Sequence, residues 1–87
     1  MDQINIELRM FMTFKQYLPE GSSEGKAKMS LDYGATFEDL LNILNMPIEL
    51  IKIVIINGII QVNSDAVIAR VLKEGDTISI FPPVGGG

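Results

Sequence analysis

The stretch Ile53-Val54-Ile55-Ile56-Asn57-Gly58-Ile59-Ile60-Gln61-Val62 decides how this chain folds. Asn57-Gly58 is the strongest short signal of a β-hairpin, because both residues of such a two-residue turn take a positive φ. β-Branched residues precede and follow the turn, which favours strands on both sides of it. The uninterrupted apolar run Ile53–Ile56 is typical of a strand covered on both faces. The stretch therefore predicts an antiparallel hairpin.

A second hairpin is predicted nearer the beginning of the chain. Residues 4–12 and 26–33 each alternate apolar and polar side chains, which indicates two half-buried strands. Residues 20–25 form a long polar connection between them, and residues 14–19 leave the alternation as a single helical turn. The inward positions of both strands predict core side chains, among them Met10, Met12, Met29 and Tyr33. We expect the methionines to fill the core and not to bind a metal.

One helix is predicted between the two hairpins. Thr36 precedes Asp39 by three residues, close to the capping-box pattern that begins many helices. Apolar residues then recur at helical spacing at Phe37, Leu40, Leu41 and Leu44. Pro47 cannot continue a helix, so we expect the helix to end near Asn45. A helix this short is unstable alone and must pack on a sheet.

The last part of the chain predicts one more strand. Thr77–Phe81 alternates and is stopped by Pro82, because proline donates no hydrogen bond to a ladder. Four apolar residues of the irregular segment 63–76 are expected to fill one edge of the core: Val67, Ile68, Val71 and Leu72. A hairpin, one helix and further strands make an α+β pattern with the helix on one face of a mixed sheet of about five strands. With the first and last strands parallel at the centre, this is the β-grasp arrangement of ubiquitin. We predict a single domain over residues 1–81 and a flexible C-terminal tail over residues 82–87.

The amino-acid composition argues against several classes of function. The 87 residues include no cysteine and no histidine, so the side chain best suited to acid–base catalysis at neutral pH and the two best zinc ligands are missing. A net charge of −4 gives no basic footprint for nucleic acid. No apolar run approaches the roughly 18–20 residues that cross a membrane, and the first residues lack a signal peptide's apolar core. We expect a soluble cytoplasmic protein with no bound cofactor or metal and neither nucleic acid nor membrane as a partner.

Three internal patterns resemble chemical sites but have simpler explanations. Gly21-Ser22-Ser23-Glu24-Gly25-Lys26 has three residues between its glycines where a phosphate-binding loop needs four, and Ala27 follows in place of Ser or Thr. Glu38 and Asp39 lie near a helix N-terminus, where carboxylates favour the helix dipole. Glu74 and Asp76 flank a turn glycine. Capping and solubility explain all four carboxylates better than catalysis does.

The C-terminal residues are the remaining candidate. Gly85-Gly86-Gly87 ends the chain, and Pro82-Pro83 before it favours an extended segment that would direct the glycines away from the sheet. Bare glycines, preceded by Val84, can pass through a narrow channel where side chains would clash, and their backbone accepts unusual φ and ψ values. A cloning remnant or a frayed end is the alternative explanation.

These features resemble the sulfur carriers of the molybdopterin synthase small-subunit and thiamine-pathway group. The resemblance rests on the order of elements, on Asn57-Gly58, on Leu72-Lys73-Glu74-Gly75-Asp76 and on the terminal glycines. It implies that Gly87 is adenylated by a ubiquitin-activating-type adenylyltransferase, which uses ATP, and is then converted to a thiocarboxylate that donates sulfur. Gly86 would be the required neighbour of Gly87.

The resemblance also indicates the pathway. Phe81-Pro82-Pro83-Val84 is similar to the molybdopterin branch, whose tail enters the large subunit of molybdopterin synthase and serves molybdopterin or tungstopterin biosynthesis. Gly85 stands where that branch often has alanine or threonine. A triple glycine is also seen in thiamine-type carriers, for which thiazole synthase would be the partner.

Docking to partners should use apolar surface beside the tail. Phe81 alternates with Ile78 and Ile80, so it is expected on the opposite face of the sheet, where an aromatic side chain can anchor an interface. Packing of Phe81 beneath residues 63–72 is the alternative. Pro82 and Pro83 would join this contact, and Ile59 and Ile60 are further candidates.

Two other functions remain open from the sequence. The same Gly87 could form isopeptide bonds, which would make the chain a protein modifier. A binding or regulatory β-grasp domain with an incidental tail is the other possibility.

Overall fold

A computed structural model describes residues 2–62 and 64–82, which form a five-stranded sheet and short helices. The strands are β1 (Gln3–Met10), β2 (Lys26–Asp32), β3 (Ile53–Ile56), β4 (Ile59–Val62) and β5 (Thr77–Phe81). The α-helices are α1 (Phe37–Leu44) and α2 (Asp65–Ile68), and 3₁₀ helices span Met12–Tyr17 and Ile48–Leu50. The predicted α+β class and β-grasp arrangement are confirmed. The boundary between a domain at 1–81 and a tail at 82–87 stays a prediction.

The strand order is β2-β1-β5-β3-β4, with mixed directions. β1 and β5 run parallel at the centre, with Leu8 beside Ile78, while the β1–β2, β3–β4 and β3–β5 pairs are antiparallel. The parallel pair requires a long crossover, and α1 lies within it. The sheet therefore has two edges, β2 and β4.

The hairpin turn that decides the fold is built as predicted. Asn57 and Gly58 take φ values of 52° and 83°. The Asn57 side chain also ties the turn to the beginning of β5: its Nδ2 donates to Asp76 Oδ1 at 2.8 Å, and its Oδ1 accepts from the Thr77 backbone N–H at 2.8 Å. The backbone N–H of Lys73 donates to Asp76 Oδ2 at 2.9 Å. Asp76 is buried, so its role is to hold these turns together and not to keep the surface soluble.

Helix α1 begins with the predicted capping box. Thr36 Oγ1 accepts from the Asp39 N–H at 3.2 Å, and the Thr36 N–H donates to Asp39 Oδ2 at 2.9 Å. Asn45 ends the helix in the left-handed conformation, where the sequence placed its end. The apolar face of α1 is buried against the sheet through Phe37, Leu40, Leu41 and Leu44.

Two of the predicted inward positions are wrong. β1 ends at Met10, and Met12 has a φ of 55° at the start of the first 3₁₀ helix, so its side chain is exposed. β2 ends at Asp32, and Tyr33 beyond it is exposed before the turn at Gly34. In both cases the alternation continues in the sequence after the strand has ended, because the chain must turn. Met10 is buried and Met29 packs partly against the core.

The segment before β5 is more regular than predicted. It contains α2, whose first turn is capped by Ser64 Oγ, which accepts from the Val67 N–H at 3.4 Å. Val67 and Leu72 are buried as expected, and Ile68 is half-buried. Val71 is exposed, contrary to the prediction, because its backbone bridges to Thr36 and its side chain points away from the core.

The prediction that β3 is covered on both faces is wrong. Val54 and Ile56 are fully buried beneath α1, but Ile53 on the other face is 44% exposed. Within residues 2–62 and 64–82, no helix combines the length and apolar character needed to cross a bilayer.

Candidate functional site

The face of the sheet opposite α1 is open and divides into an apolar and a polar half. Residues directly opposite in neighbouring strands share a face, so the registers assign each side chain. On the open face six apolar side chains gather across β5, β3, β4 and the residue that follows β1: Phe11, Phe81, Ile53, Ile55, Ile60 and Val62. We call this set the apolar surface. Apolar patches of this kind on a small domain mark interaction sites.

Phe81 lies on this open face, as predicted. Its neighbours Ile78 and Ile80 are fully buried on the other face. The Phe81 ring stacks on Phe11 with centroids 4.2 Å apart and planes 3° apart. Residues 64–72 reach the core from the opposite side, through Val67, so Phe81 does not pack beneath them. The role of Phe81 in binding a partner stays a prediction.

The two isoleucines after the hairpin turn point to opposite faces. Ile60 lies opposite Ile55 and belongs to the apolar surface, with 66% of its area exposed. Ile59 lies opposite the buried Ile56 on the α1 side, and is 65% exposed at the margin of the sheet. The structure therefore brings Ile60, but not Ile59, onto the same face as Phe81.

Four members of the apolar surface were not predicted from the sequence: Phe11, Ile53, Ile55 and Val62. Two features of the sequence could have indicated them. Phe11 is an aromatic residue at an outward position of an otherwise alternating segment. The continuous run Ile53–Ile56 carries apolar residues on both faces of β3, and one of those faces is open.

The apolar surface reaches the end of the sheet at which β5 passes into the tail. Phe81 lies beside Ile53, and Ile53 lies beside Val62, so these residues form a row across three strands at that end. Pro82 follows directly and is half-buried. The predicted tail residues Pro83, Val84, Gly85, Gly86 and Gly87 lie outside the described residues.

The polar half of the open face is basic. Arg9 lies opposite Lys26, and Glu7 lies opposite Lys28. Arg9 Nη2 contacts Glu7 Oε2 at 2.6 Å, and the hydrogen bond from Arg9 lowers the pKa of Glu7, with Lys26 and Lys28 acting in the same direction. Lys26 and Lys28 make no ion pair with another described residue. A cavity of about 280 Å³, lined in part by Arg9, Lys26 and Phe11, joins this basic half to the apolar surface.

The open face has the character of a docking surface. Within residues 2–62 and 64–82, no three acidic side chains converge in a way that could hold a metal ion. The carboxylates singled out in the sequence are spread over α1 and the turn before β5. An apolar centre beside the end of β5, bordered by cations, has the composition of a protein-docking surface.

Comparison with known proteins gives the family. Residues 22–87 match the model of the ThiS family, which covers the chain from the β1–β2 connection to the last glycine. The chain belongs to the ThiS family. A comparison with curated proteins finds no match.

Solved structures share the fold of this ThiS-family chain. The solution structure of the Haloferax volcanii HVO 2177 protein has a TM-score of 0.69 and 28% identity, over 98% of this chain and 88% of that one. A putative molybdopterin converting factor, subunit 1, from Pyrococcus furiosus has a TM-score of 0.65 and 21% identity, over 93% and 99%. SAMP1 from Haloferax volcanii has a TM-score of 0.64 and 22% identity, over 95% and 99%. The family and the fold together make this chain a ubiquitin-like sulfur carrier or modifier.

Proposed function

We propose that this ThiS-family chain carries sulfur on the C-terminal carboxylate of Gly87. The observation that supports this best is that the family match runs through residue 87, while β5 ends beside the apolar surface and passes at once into Pro82. The chain acts as a carrier and not as an enzyme, so its partners supply the catalysis. We place it in the cytoplasm, where its activating enzyme would have access to ATP.

The chemistry needs activation because a carboxylate is a poor electrophile. A carboxylate oxygen of Gly87 attacks the α-phosphorus of ATP on the activating enzyme, and pyrophosphate leaves. Hydrosulfide, HS⁻, delivered by a partner then attacks the acyl carbon, AMP leaves, and the S–H proton is lost to solvent. The resulting thiocarboxylate is a better nucleophile and sulfur donor than the carboxylate. A chain without cysteine offers no thiol of its own to these sulfur species.

The tail composition fits this route. Gly85 and Gly86 would let the backbone enter a narrow channel in the activating enzyme, with Val84 as the last side chain before it. Ordering glycines costs more conformational entropy than ordering other residues. The folded body must therefore supply much of the binding energy.

The open face would supply that energy. Phe81 and Ile60 would meet an apolar surface of the partner, with Pro82 and Pro83 contacting the entrance of its channel. Lys26 and the neighbouring basic side chains would meet acidic groups at its border. Ile59, on the other face, is the weakest of the predicted contacts.

The test is an intact-mass measurement. The chain is incubated with ATP, a ubiquitin-activating-type adenylyltransferase of a ThiS-family system and a sulfur source. We expect an AMP adduct and then the replacement of one oxygen by one sulfur. A chain that ends at Gly85 is the matched control and should stay unchanged. A full-length chain that never gains AMP or sulfur contradicts the proposal.

The sulfur acceptor is proposed to be the precursor of molybdopterin or tungstopterin. The support is the Phe81-Pro82-Pro83-Val84 sequence, which resembles the molybdopterin branch. The thiocarboxylated chain should then release its sulfur in the presence of the large subunit of molybdopterin synthase and the precursor. Release only with thiazole synthase and its substrates would assign the chain to thiamine biosynthesis instead.

Protein modification starts from the same activated Gly87. The TM-score of 0.64 with SAMP1 shows a shared fold and does not separate a carrier from a modifier. Peptides in which a target lysine carries the chain's terminal glycines, absent from the chain that ends at Gly85, would demonstrate modification. Sulfur transfer without such peptides would indicate that the chain is a sulfur carrier and not a protein modifier.

A further inference from the structure

The two edges of the sheet differ in how they are protected. Edge strands expose unpaired backbone groups, and proteins usually blunt such edges with charged side chains. β2 follows this rule, with Lys26, Lys28 and Asp32 along it. β4 does not, because the whole hairpin from Ile53 to Val62 contains no charged residue and no proline.

β4 exposes apolar side chains on both of its faces. Ile60 and Val62, on the open face, are 66% and 71% exposed, and Ile59, on the α1 side, is 65% exposed. Among the described residues β4 pairs with β3 alone, so its other edge is uncovered. An uncharged, β-branched edge of this kind is a template for pairing with a further strand.

The backbone geometry of the hairpin determines which N–H and C=O groups of β4 are free to pair with another strand. In a hairpin closed by a two-residue turn, the flanking pair Ile56 and Ile59 exchange hydrogen bonds, and hydrogen-bonded and non-hydrogen-bonded pairs alternate along the ladder. Gln61 therefore also bonds to β3. The N–H and C=O groups of Ile60 and Val62 point outward, to the free edge.

We infer that two copies of this chain pair through their β4 edges, antiparallel and around a two-fold axis at Gln61. The outward N–H and C=O groups of one copy must meet those of the other. Ile60 of each copy therefore pairs with Val62 of the other, which gives two equivalent Ile60–Val62 pairs. Any other symmetric register within β4 pairs only one of these residues with its own copy. The register centred on Gln61 is thus the symmetric one in which both outward residues of β4 are paired in both copies.

The side chains are compatible with this register. Directly opposite residues share a face, so each Ile60 contacts a Val62 on the open face, a favourable pair of β-branched residues. The two Gln61 amides face each other on the α1 side and can exchange a hydrogen bond. No like charges approach, because the paired strands carry none.

The dimer leaves the C-terminal chemistry accessible. β4 runs in the same direction as β5, because both are antiparallel to β3. Antiparallel pairing of two β4 strands therefore places the two β5 strands in opposite directions. The two β5 strands end at opposite ends of a ten-stranded sheet, away from the β4–β4 contact. This inference is therefore independent of the proposed sulfur chemistry.

The contact between the two β4 strands is small, so the dimer is expected to be weak. Four residues from each copy bury less than the roughly 1,200 Å² of a stable complex. We expect a dimer with a Kd between about 10 μM and about 1 mM, and a measurable dependence of mass on concentration. The isolated chain should be largely monomeric when dilute.

Sedimentation equilibrium of the full-length chain across that range tests the inference. Wild type should approach twice the mass of one chain as concentration rises. Ile60→Lys should raise Kd by about tenfold or more, because both Ile60–Val62 pairs are lost. Ile59→Lys is the matched control, with equal exposure but an inward-directed backbone, and should keep Kd within about twofold.

Amide hydrogen exchange provides the second measurement. The amides of Ile60 and Val62 should exchange more slowly as the concentration of wild-type chain rises, and those of Ile60→Lys should not. A chain that stays monomeric at about 1 mM overturns the inference. So does a dimer that the two lysine substitutions weaken equally, because another surface would then hold it together.

Discussion

Asn57 should contribute substantially to the stability of the fold, because its backbone conformation and its side-chain hydrogen bonds act together. Its φ of 52° is the left-handed value that most residues avoid. Its side chain joins Asp76 Oδ1 and the Thr77 N–H, each at 2.8 Å. Substitution by alanine removes both contributions, whereas substitution by glycine removes only the side-chain bonds.

The magnitudes follow from these contacts. The bond to the buried Asp76 carboxylate contributes about 1.5–3 kcal/mol, and the bond from the exposed Thr77 N–H about 0.5–1 kcal/mol. The left-handed conformation adds about 1 kcal/mol for alanine. We expect Asn57→Gly to lower the free energy of unfolding by about 2–4 kcal/mol, and Asn57→Ala by about 1 kcal/mol more.

Urea denaturation measures both values, from the midpoint and the slope of the transition. Asn45→Gly is the control, because Asn45 also holds a positive φ of 57° as the C-cap of α1. It should change the free energy by no more than about 0.5 kcal/mol. If Asn57→Gly unfolds at the wild-type midpoint, the hydrogen bonds to Asp76 and Thr77 contribute nothing and the reasoning fails.

Three further predictions concern docking, packing and pH. Phe81→Ala should raise the KM of the activating enzyme for the chain about tenfold or more with little change in kcat, because it removes an aromatic anchor; steady-state kinetics that show an unchanged KM would count against the apolar surface. Gly25→Ala should lower the free energy of unfolding by about 2–3 kcal/mol, because the new Cβ would lie 2.9 Å from the Met10 carbonyl oxygen at a φ of 77°. Gly21→Ala is the control: it has open space around it and should lower the free energy of unfolding by only about 1 kcal/mol. The same urea assay measures both. The pKa of Glu7 is lowered from 4.5 by Arg9, so its ion pair stabilises the fold above that pH and is lost as pH falls through the lower folded value. Thermal melts should therefore show a deficit for Glu7→Gln at neutral pH that disappears in acid and shrinks in high salt, and a deficit independent of pH would refute the assignment.

The fold was predictable where a local pattern and its tertiary role agree. Asn57-Gly58 needs a positive φ whatever surrounds it, and the Thr36–Asp39 capping box is satisfied within four residues. Strand ends were less predictable. The alternation continues past Met10 and past Asp32, but the chain has to turn there to reach the next element, and only the tertiary structure sets those points.

The site was predictable in part for the same reason. Strand alternation correctly sends Phe81 to the face opposite Ile78 and Ile80. It could not reveal that Phe11 would stack on Phe81, because that contact joins residues seventy positions apart. An apolar run such as Ile53–Ile56 does not say whether its second face is covered within the chain or left for a partner.

The most direct test of the central claim is to locate the transferred sulfur within the chain. After incubation with ATP, the activating enzyme and a sulfur source, fragment masses of the C-terminal peptide show which residue has exchanged oxygen for sulfur. We expect the added sulfur on Gly87 alone, with the chain that ends at Gly85 unmodified. Sulfur on any other residue, or a full-length chain whose Gly87 keeps both oxygens, would contradict the account.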